Sequence, residues 1–432
     1  MTQLAAQQLA GIEKIRNWYQ AGLLAGWWPP FRLFGYAGTG KTTMAKEIPA
    51  ALGLRNVVYG TFTGKAAHVL RRKGATPVST IHSAIYMPTT SAEAREALEA
   101  ARVELERLEG NMAAALLGSE EWHTASATRD EVQAQIPGLE AAARRIGWEL
   151  NPMSDWASAD LIILDEVSMV NAKLATDVES YGVPILVLGD PAQLPPVEGG
   201  GYYTSAKPDH LLTDIHRQAL ENPITALATR IRESQDTRLG LTRADHVMVS
   251  LRHAMEHDQI LVWSNKRRWA LIKAIRTLKG RPEGIPVAGD KIMCLTNNKD
   301  MAVFNGALFD VLAATEGDKG PTLTVRTEEG QERALPVYSD GFLGREMQEQ
   351  AKNAGDGGKG NRMLATFADA ITVHKSQGSE WDSVYVFNET PGMIAMGSRR
   401  RGQTEAVTEA RRWAYTAATR ARETLTLGSL QA

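Results

Sequence analysis

Residues 34–43 read Phe34-Gly35-Tyr36-Ala37-Gly38-Thr39-Gly40-Lys41-Thr42-Thr43. The fixed positions of G-x-x-x-x-G-K-[ST] are met at Gly35, Gly40, Lys41 and Thr42. A short apolar run at 31–34 comes before them and a helix-compatible run at 43–52 comes after, the strand, loop and helix setting this pattern requires. Gly35, Gly38 and Gly40 let backbone N–H groups turn inward around phosphate oxygens, and the start of the following helix adds partial positive charge. Lys41 is then placed to reach β- and γ-phosphates, and the Thr42 hydroxyl to complete a Mg²⁺ shell. The alternative, a Gly-rich turn with an incidental Lys-Thr, needs spacing, strand and helix to coincide by chance.

Downstream, the unbroken apolar run at 161–164 predicts a buried parallel strand that delivers Asp165 and Glu166 at its carboxyl end, where open α/β sheets bind ligands. Asp165 suits a Mg²⁺ ligand and Glu166 a base that orients and deprotonates an attacking water. A further strand at 183–188 leads into Gly189-Asp190-Pro191-Ala192-Gln193-Leu194-Pro195-Pro196, where Gln193 is the candidate γ-phosphate sensor. Arg217, in His216-Arg217-Gln218, is either a transition-state arginine or a helix-start charge. A strand at 56–62 opens into Thr63-Gly64-Lys65 and a basic helix, an arrangement able to grip a sugar-phosphate backbone, with solvated surface charge as the plainer reading. Ser79-Thr80-Ile81-His82 adds polar donors near a turn. Ahead of all this, Ile12, Ile15 and Trp18 repeat at helical spacing within 4–19, with Gln7 and Gln8 at the start of that helix.

Between 91 and 150 the composition shifts to Ala, Glu, Arg and Leu. Leu98, Ala101, Leu105, Leu108 and Met112 repeat with a 3-4 pattern, as do Val132, Ile136, Leu139, Ala143, Ile146 and Leu150. The reading is a long antiparallel helical hairpin with 118–129 as its connection, Pro137 interrupting the second arm unless that arm begins there. Trp122 near the tip is a capping aromatic or a wedge against a nucleic-acid strand.

The second half restarts the pattern with a strand at 260–263 and a basic helix at 266–278. Short alternating runs from 289 to 336, broken by Asn305-Gly306 and similar turn signals, predict a small β-barrel. A glycine-rich linker at 355–360 returns the chain to buried strands at 370–373 and 384–387. Between them lies Thr372-Val373-His374-Lys375-Ser376-Gln377-Gly378-Ser379-Glu380. Arg399 to Arg401 read as a solvated basic loop. Tyr415-Thr416-Ala417-Ala418-Thr419-Arg420-Ala421-Arg422 precedes a last strand at 424–427.

The 432 residues are 43% apolar and 23% charged, the profile of a globular chain of two to four domains. A formal charge of −2 confines any polyanion site to a local basic surface. The single cysteine, Cys294, excludes an internal disulfide and a cysteine-cluster metal site, and is expected to be small, buried and apolar. With neither a membrane-length apolar run nor an N-terminal signal pattern, a soluble cytoplasmic protein with no membrane partner is expected.

Together these stretches resemble superfamily 1B DNA helicases, the RecD-like and Dda-like group, in family order over nearly the whole chain. Residues 35–43, Thr43 included, resemble motif I, 61–68 motif Ia, 79–82 the Thr-Ile-His motif and 165–169 motif II. Residues 189–196 are similar to motif III, Arg217-Gln218 to motif IV, 372–380 to motif V and 415–422 to motif VI. The Lys-Ser-Gln-Gly-Ser form of motif V favours this group over the oppositely moving 1A branch.

The resemblance implies an α/β fold of two RecA-like parallel-sheet domains, with ATP and Mg²⁺ between them and single-stranded DNA across both. The domains would be 1–90 with 151–220 and 221–288 with 361–432, with a helical-hairpin insertion at 91–150 in the first and a small β-barrel insertion and linker at 289–360 in the second. It implies that Gln8 reads adenine, that Gly378 and Glu380 join the nucleotide site, and that Arg217 and Arg420 reach the γ-phosphate from opposite sides. Phe62, Thr63, Lys65, His82, Thr372, His374 and Lys375 would line the DNA track; Phe62 stands where the family commonly has Pro, so base stacking and a strand-end core role both stay open. The family often carries a duplex-splitting β-pin where this chain reads as a helical hairpin, which suits either a wedge at single/double-strand junctions or a dock for a replication or recombination protein. The implied activity is 5′ to 3′ translocation with unwinding. Its rivals are a translocase or motor subunit without strong unwinding, and a P-loop kinase.

Overall fold

The computed structural model describes residues 4–90, 92–144, 146–195, 201–214, 222–298, 301, 303–317, 320–328, 330–344 and 362–431. The chain separates into two compact units, one of them Tyr86–Pro152.

In the larger unit, a first sheet holds six strands: β1 (Phe31–Gly35), β2 (Val57–Thr61), β3 (Val78–Thr80), β6 (Leu161–Asp165), β7 (Ile185–Gly189) and β8 (His210–Leu212). Their spatial order is β3-β2-β6-β7-β1-β8, and every pairing is parallel. Parallel strands carry a helix on each face, so both side-chain rows are apolar. All five residues of β6 are buried accordingly. On one face Ile12 and Ile15 of the helix Ala6–Ala25 and Met44, Ala45 and Ile48 of the helix Lys41–Leu52 pack on Leu33, Ile163, Leu186 and Leu188. The expected N-terminal helix is therefore present and runs on to Ala25, where Gly26 closes it in a left-handed cap.

A second all-parallel sheet is ordered β16-β10-β17-β18-β9, with β9 Val247–Val249, β10 Gln259–Val262, β16 Ala370–Thr372, β17 Trp381–Phe387 and β18 Ala421–Leu430. Alternate residues go to opposite faces. Leu261, Val384 and Val386 meet the helices Pro223–Glu233 and Gln403–Ala418, while Ile260, Val262 and Tyr385 meet the helix Asn265–Leu278. That second core is continuous with a third sheet, β14-β13-β12-β11-β15, formed by β11 (Lys291–Cys294), β12 (Leu308–Thr315), β13 (Thr322–Thr327), β14 (Glu332–Pro336) and β15 (Ala365–Phe367). It is antiparallel, and its edges meet where Met363 N–H donates to Pro336 O at 2.7 Å and Tyr338 N–H donates to Met363 O at 3.1 Å. The sheet therefore curls so that one isolated bridge, Val337 to Met363, joins the segments flanking its two edge strands. Cys294, in β11, is wholly buried, as expected. Arg276 enters the same region with its charge matched by Asp290 at 2.7 Å, and Arg281 joins Asp290 at 2.6 Å.

The smaller unit is an antiparallel ribbon of β4 (Tyr86–Thr90) and β5 (Ile146–Leu150) together with the helices Ala92–Ala114 and Glu120–Arg144, which lie between them in sequence. Arg102 links the two helices through Glu140 at 2.9 Å. Three expectations need correcting. The polar segment 118–129 is mostly helix, the connection being only 115–119, and Pro137 lies inside the second helix. Ile146 and Leu150, taken as the end of that helix, pair as strand with residues 86–90. Arg399 to Arg401 end the helix Thr390–Arg401 instead of forming a loop, and Arg401 pairs with Glu409. The glycine-rich segment 355–360 lies outside the described residues.

Candidate nucleotide and nucleic-acid site

The carboxyl ends of β1, β6 and β7 lie side by side in the first sheet, so the loops after them converge. After β1 the chain turns through Gly38 (φ 80°) and Gly40 (φ 77°), left-handed conformations that a side chain would strain. A Cβ at Gly35 would come within 2.6 Å of Thr39 Oγ1. The helix Lys41–Leu52 begins with no side-chain cap, leaving its first-turn N–H groups open to an anion. Lys41 Nζ donates to the carbonyls of Gly35 at 2.6 Å and Tyr36 at 3.1 Å, holding a cation at the mouth of the loop. Thr43 follows in the first turn of the helix.

Thr42 Oγ1 donates to Asp165 Oδ2 at 3.1 Å, joining the two residues expected to share a cation. Among the described residues no group of three or more His, Cys, Asp or Glu could hold a metal by itself. Such a hydroxyl and carboxylate pair fits Mg²⁺, which takes few protein ligands and fills its shell with phosphate oxygens and water. Glu166 follows at φ 57°, ψ 44°, one of two non-glycine residues with positive φ among the described residues. Such backbone costs on the order of 1–3 kcal/mol and clusters at functional sites. Burial holds the Glu166 carboxyl above the usual carboxylate range, opposed first by Arg420 and then, more weakly, by Lys41, while Asp165 and Asp190 add to the rise.

Gln193 follows β7; it is buried and its Oε1 has no partner among the described residues, though it does not line the cavity around Arg420. Arg420 is 3% exposed and held by Thr416 O at 3.1 Å, Ser379 O at 3.2 Å and Thr419 Oγ1 at 3.1 Å. Together with Thr42, Asp165, Glu166, Gly378 and Glu380 it lines one cavity of about 610 Å³. Gly378 lies at φ 77°, where a Cβ would stand 3.0 Å from Thr63 Oγ1. Gln8 is buried: its Oε1 accepts from Ala5 N–H at 2.9 Å and its Nε2 donates to Thr39 O at 3.1 Å. It thus ties the N-terminal helix to the phosphate loop. Arg217 lies outside the described residues.

The residues expected on a DNA track divide. Thr372, His374 and Lys375 share a second cavity, of about 330 Å³, with Trp263 and Arg268. Phe62 and His82 form an edge-to-face pair 5.7 Å apart. Thr63 caps the helix Gly64–Arg72 by accepting from Ala66 N–H at 3.2 Å. Lys65 instead lines the first cavity, paired with Glu328 at 2.7 Å and lying over Trp381.

Sequence reading missed Tyr415. Its hydroxyl donates to Asp190 Oδ2 at 2.6 Å and accepts from Ala37 N–H of the phosphate loop at 3.0 Å. Next to it, Leu194 N–H donates to Thr416 Oγ1 at 2.9 Å and Gln377 Nε2 donates to Leu194 O at 3.0 Å. Arg232 covers the Tyr36 ring at 3.7 Å. These contacts join elements far apart in sequence, and no local pattern marks them.

A phosphate loop, a Thr and Asp pair, a strained Glu and an arginine supplied from a second parallel sheet define a P-loop nucleotide-binding protein. Residues 31–251 match the family described as AAA domain, and residues 367–427 match UvrD-like helicase C-terminal domain. The first match covers more than half of the chain, which belongs to that AAA domain family. The ATP-dependent RecD2 DNA helicase of Deinococcus radiodurans is 31% identical over 253 residues, 53% of this chain and 32% of that protein. The chain thus spans about a third of the length of that curated relative. Solved structures similar to it include a Bacteroides Pif1 helicase in complex with ADP-AlF3 and single-stranded DNA, at 18% identity over 99% of this chain and 92% of that one, TM-score 0.49. The Pif1 helicase of Candida albicans has 16% identity over 98% and 94%, TM-score 0.46.

Proposed function

We propose that the chain is an ATP-driven DNA helicase of the superfamily 1B kind, moving 5′ to 3′ on single strands. The observation that carries this reading is the shared cavity in which Arg420, from the second sheet, faces Glu166 and the Thr42–Asp165 pair of the first. Residues 1–90 with 151–220 and residues 221–288 with 361–432 act as two motor domains, 91–150 and 289–360 being insertions. The phosphate loop and Lys41 hold the triphosphate, and Gln8 contacts the adenine by releasing Thr39. Thr42 and Asp165 hold Mg²⁺, which when bound neutralises charge on the β- and γ-phosphates. Glu166 accepts the proton of the attacking water, and Gln193 contacts the γ-phosphate. Arg420, joined by Arg217, stabilises the charge that develops there, so turnover requires the two motor domains to be together. Gly378 and Glu380 border the nucleotide; Phe62, Thr63, His82, Thr372, His374 and Lys375 contact the strand, and Lys65 does so after leaving Glu328. A cytoplasmic setting fits the single buried thiol.

The alternative, a translocase or motor subunit that acts with a replication or recombination partner, is favoured by Leu116 and Leu117 between the two long helices, 82% and 81% exposed. The catalytic assignment is tested by Lys41→Ala. The variant should lose ATP turnover by at least about 100-fold, the scale of a lost transition-state contact, with an unchanged circular dichroism spectrum; retained turnover removes the assigned phosphate site.

A further inference from the structure

Arg268 sits in the helix Asn265–Leu278 and is 4% exposed. Its Nη2 donates to Thr366 Oγ1 at 2.8 Å and Phe367 O at 2.7 Å, and its Nε is buried with no partner among the described residues. Lys375, in the same cavity, donates from Nζ to Asn305 Oδ1 at 3.3 Å. Among the described residues neither cation has a carboxylate. The contrast is Arg276, eight positions further along the same helix, which is equally buried but carries Asp290. Two cations enclosed in one cavity without a counter-charge repel each other and lose solvation. Burial accordingly pushes Arg268 down to about 10 and lowers Lys375, on which Arg268 also acts. A purely structural Arg268, laid on Trp269 and tied to Phe367 O, accounts for neither the orphaned Nε nor the second cation.

We propose that this cavity is a phosphate socket, in which Arg268 and Lys375 together take one backbone phosphate of the single strand. Nη2 spends both its hydrogens on Thr366 and Phe367, which fixes the guanidinium plane and leaves the unpartnered Nε–H as the donor for one phosphate oxygen. Thr372 adds a hydroxyl on the cavity wall, and the Trp263 ring offers an apolar flank for the adjoining sugar. His374 lines the same wall, and burial, partly opposed by Glu409, lowers it from its ordinary imidazole range. The socket rests on the DNA-motor reading for its ligand but on Arg268 and Lys375 for its chemistry.

The test is the affinity of a fluorescein-labelled oligo-dT for the full chain across a NaCl series. Arg268→Gln should weaken binding about tenfold and reduce the slope of log K against log[NaCl] by about 0.7, the share of one phosphate contact on a single strand. Lys375→Gln, which spares the helix, should give the same loss of slope. An oligonucleotide with abasic positions should keep the Arg268 dependence. A slope unchanged in both variants overturns the socket, as does a dependence that disappears with the bases, which would make the cavity a base pocket. If the native chain binds no oligo-dT, the motor reading fails, and the socket is then tested alone. Inorganic phosphate should raise the melting temperature of the ADP-saturated protein only while Arg268 is present; no such shift overturns it.

Discussion

A tyrosine hydroxyl supplied by the second sheet's helix sits between Ala37 of the phosphate loop and Asp190 of the loop after β7. Burial, with Asp190 adding to it, raises Tyr415 far above the usual phenol range, so the group is a hydroxyl at every working pH. Tyr415→Phe leaves a buried carboxylate oxygen and a loop N–H without this partner, at a cost of about 1–3 kcal/mol. Both lie beside the proposed γ-phosphate position, so turnover should fall about tenfold or more through misplacement of the loop, read as a drop in kcat larger than any change in KM. Equal kcat in variant and parent would show the hydroxyl to be structural only. His374 gives a pH prediction. Its folded pKa is lowered by burial, with Glu409 partly opposing, so the unfolded chain takes up the proton first. Its contribution to stability is present above the ordinary imidazole range and is lost as pH falls through it. The melting temperature should therefore drop less between pH 7.5 and 5.5 in His374→Gln than in the parent; an identical drop would show that His374 is not desolvated. Tyr415 was illegible in the sequence because its partners lie 225 and 378 positions away. That Lys41, Thr42, Asp165 and Glu166 would come together was legible because the pattern fixes residue type and spacing within the single loops that follow β1 and β6.

Elements buried on both faces were the easiest to read. β6 and β7 are continuous apolar runs because parallel strands have no solvent row, and their expected limits differ from the observed ones by two residues or fewer. The smaller unit was harder. Its helices are largely exposed, so the polar segment at 118–129 lacks the apolar stripe that marks a buried helix. The ribbon is five residues a side and contains Pro88 and Gly147, both poor strand signals. With that ribbon, the helical hairpin and a paired-strand base coexist where only the hairpin was expected. Replacing residues 92–144 with a short Gly-Ser turn between the ribbon strands should leave DNA-stimulated hydrolysis within about threefold of the parent, since an exposed two-helix arm adds little to the buried cores. Complete loss of hydrolysis in a folded product would make the arm part of the motor.

At the scale of the whole molecule, two parallel sheets share one cavity, and short polar links join them, Tyr415 to Asp190, Thr416 to Leu194 and Gln377 to Leu194, beside the apolar packing of Leu194, Ala37 and Ala192. Polar links of this kind can exchange with water when a cleft opens, as an apolar interface cannot without large cost. No helix among the described residues is long and apolar enough to cross a membrane. The central claim is that strand binding and hydrolysis are coupled across this cleft and drive movement in one direction. The measurement that tests it most directly is ATP hydrolysis with and without single-stranded DNA, followed in the same preparation by unwinding of duplexes bearing a 5′ or a 3′ tail. Strong stimulation by the strand, with unwinding from the 5′ tail alone, is the predicted result; hydrolysis indifferent to DNA, or unwinding from the 3′ tail alone, would contradict it.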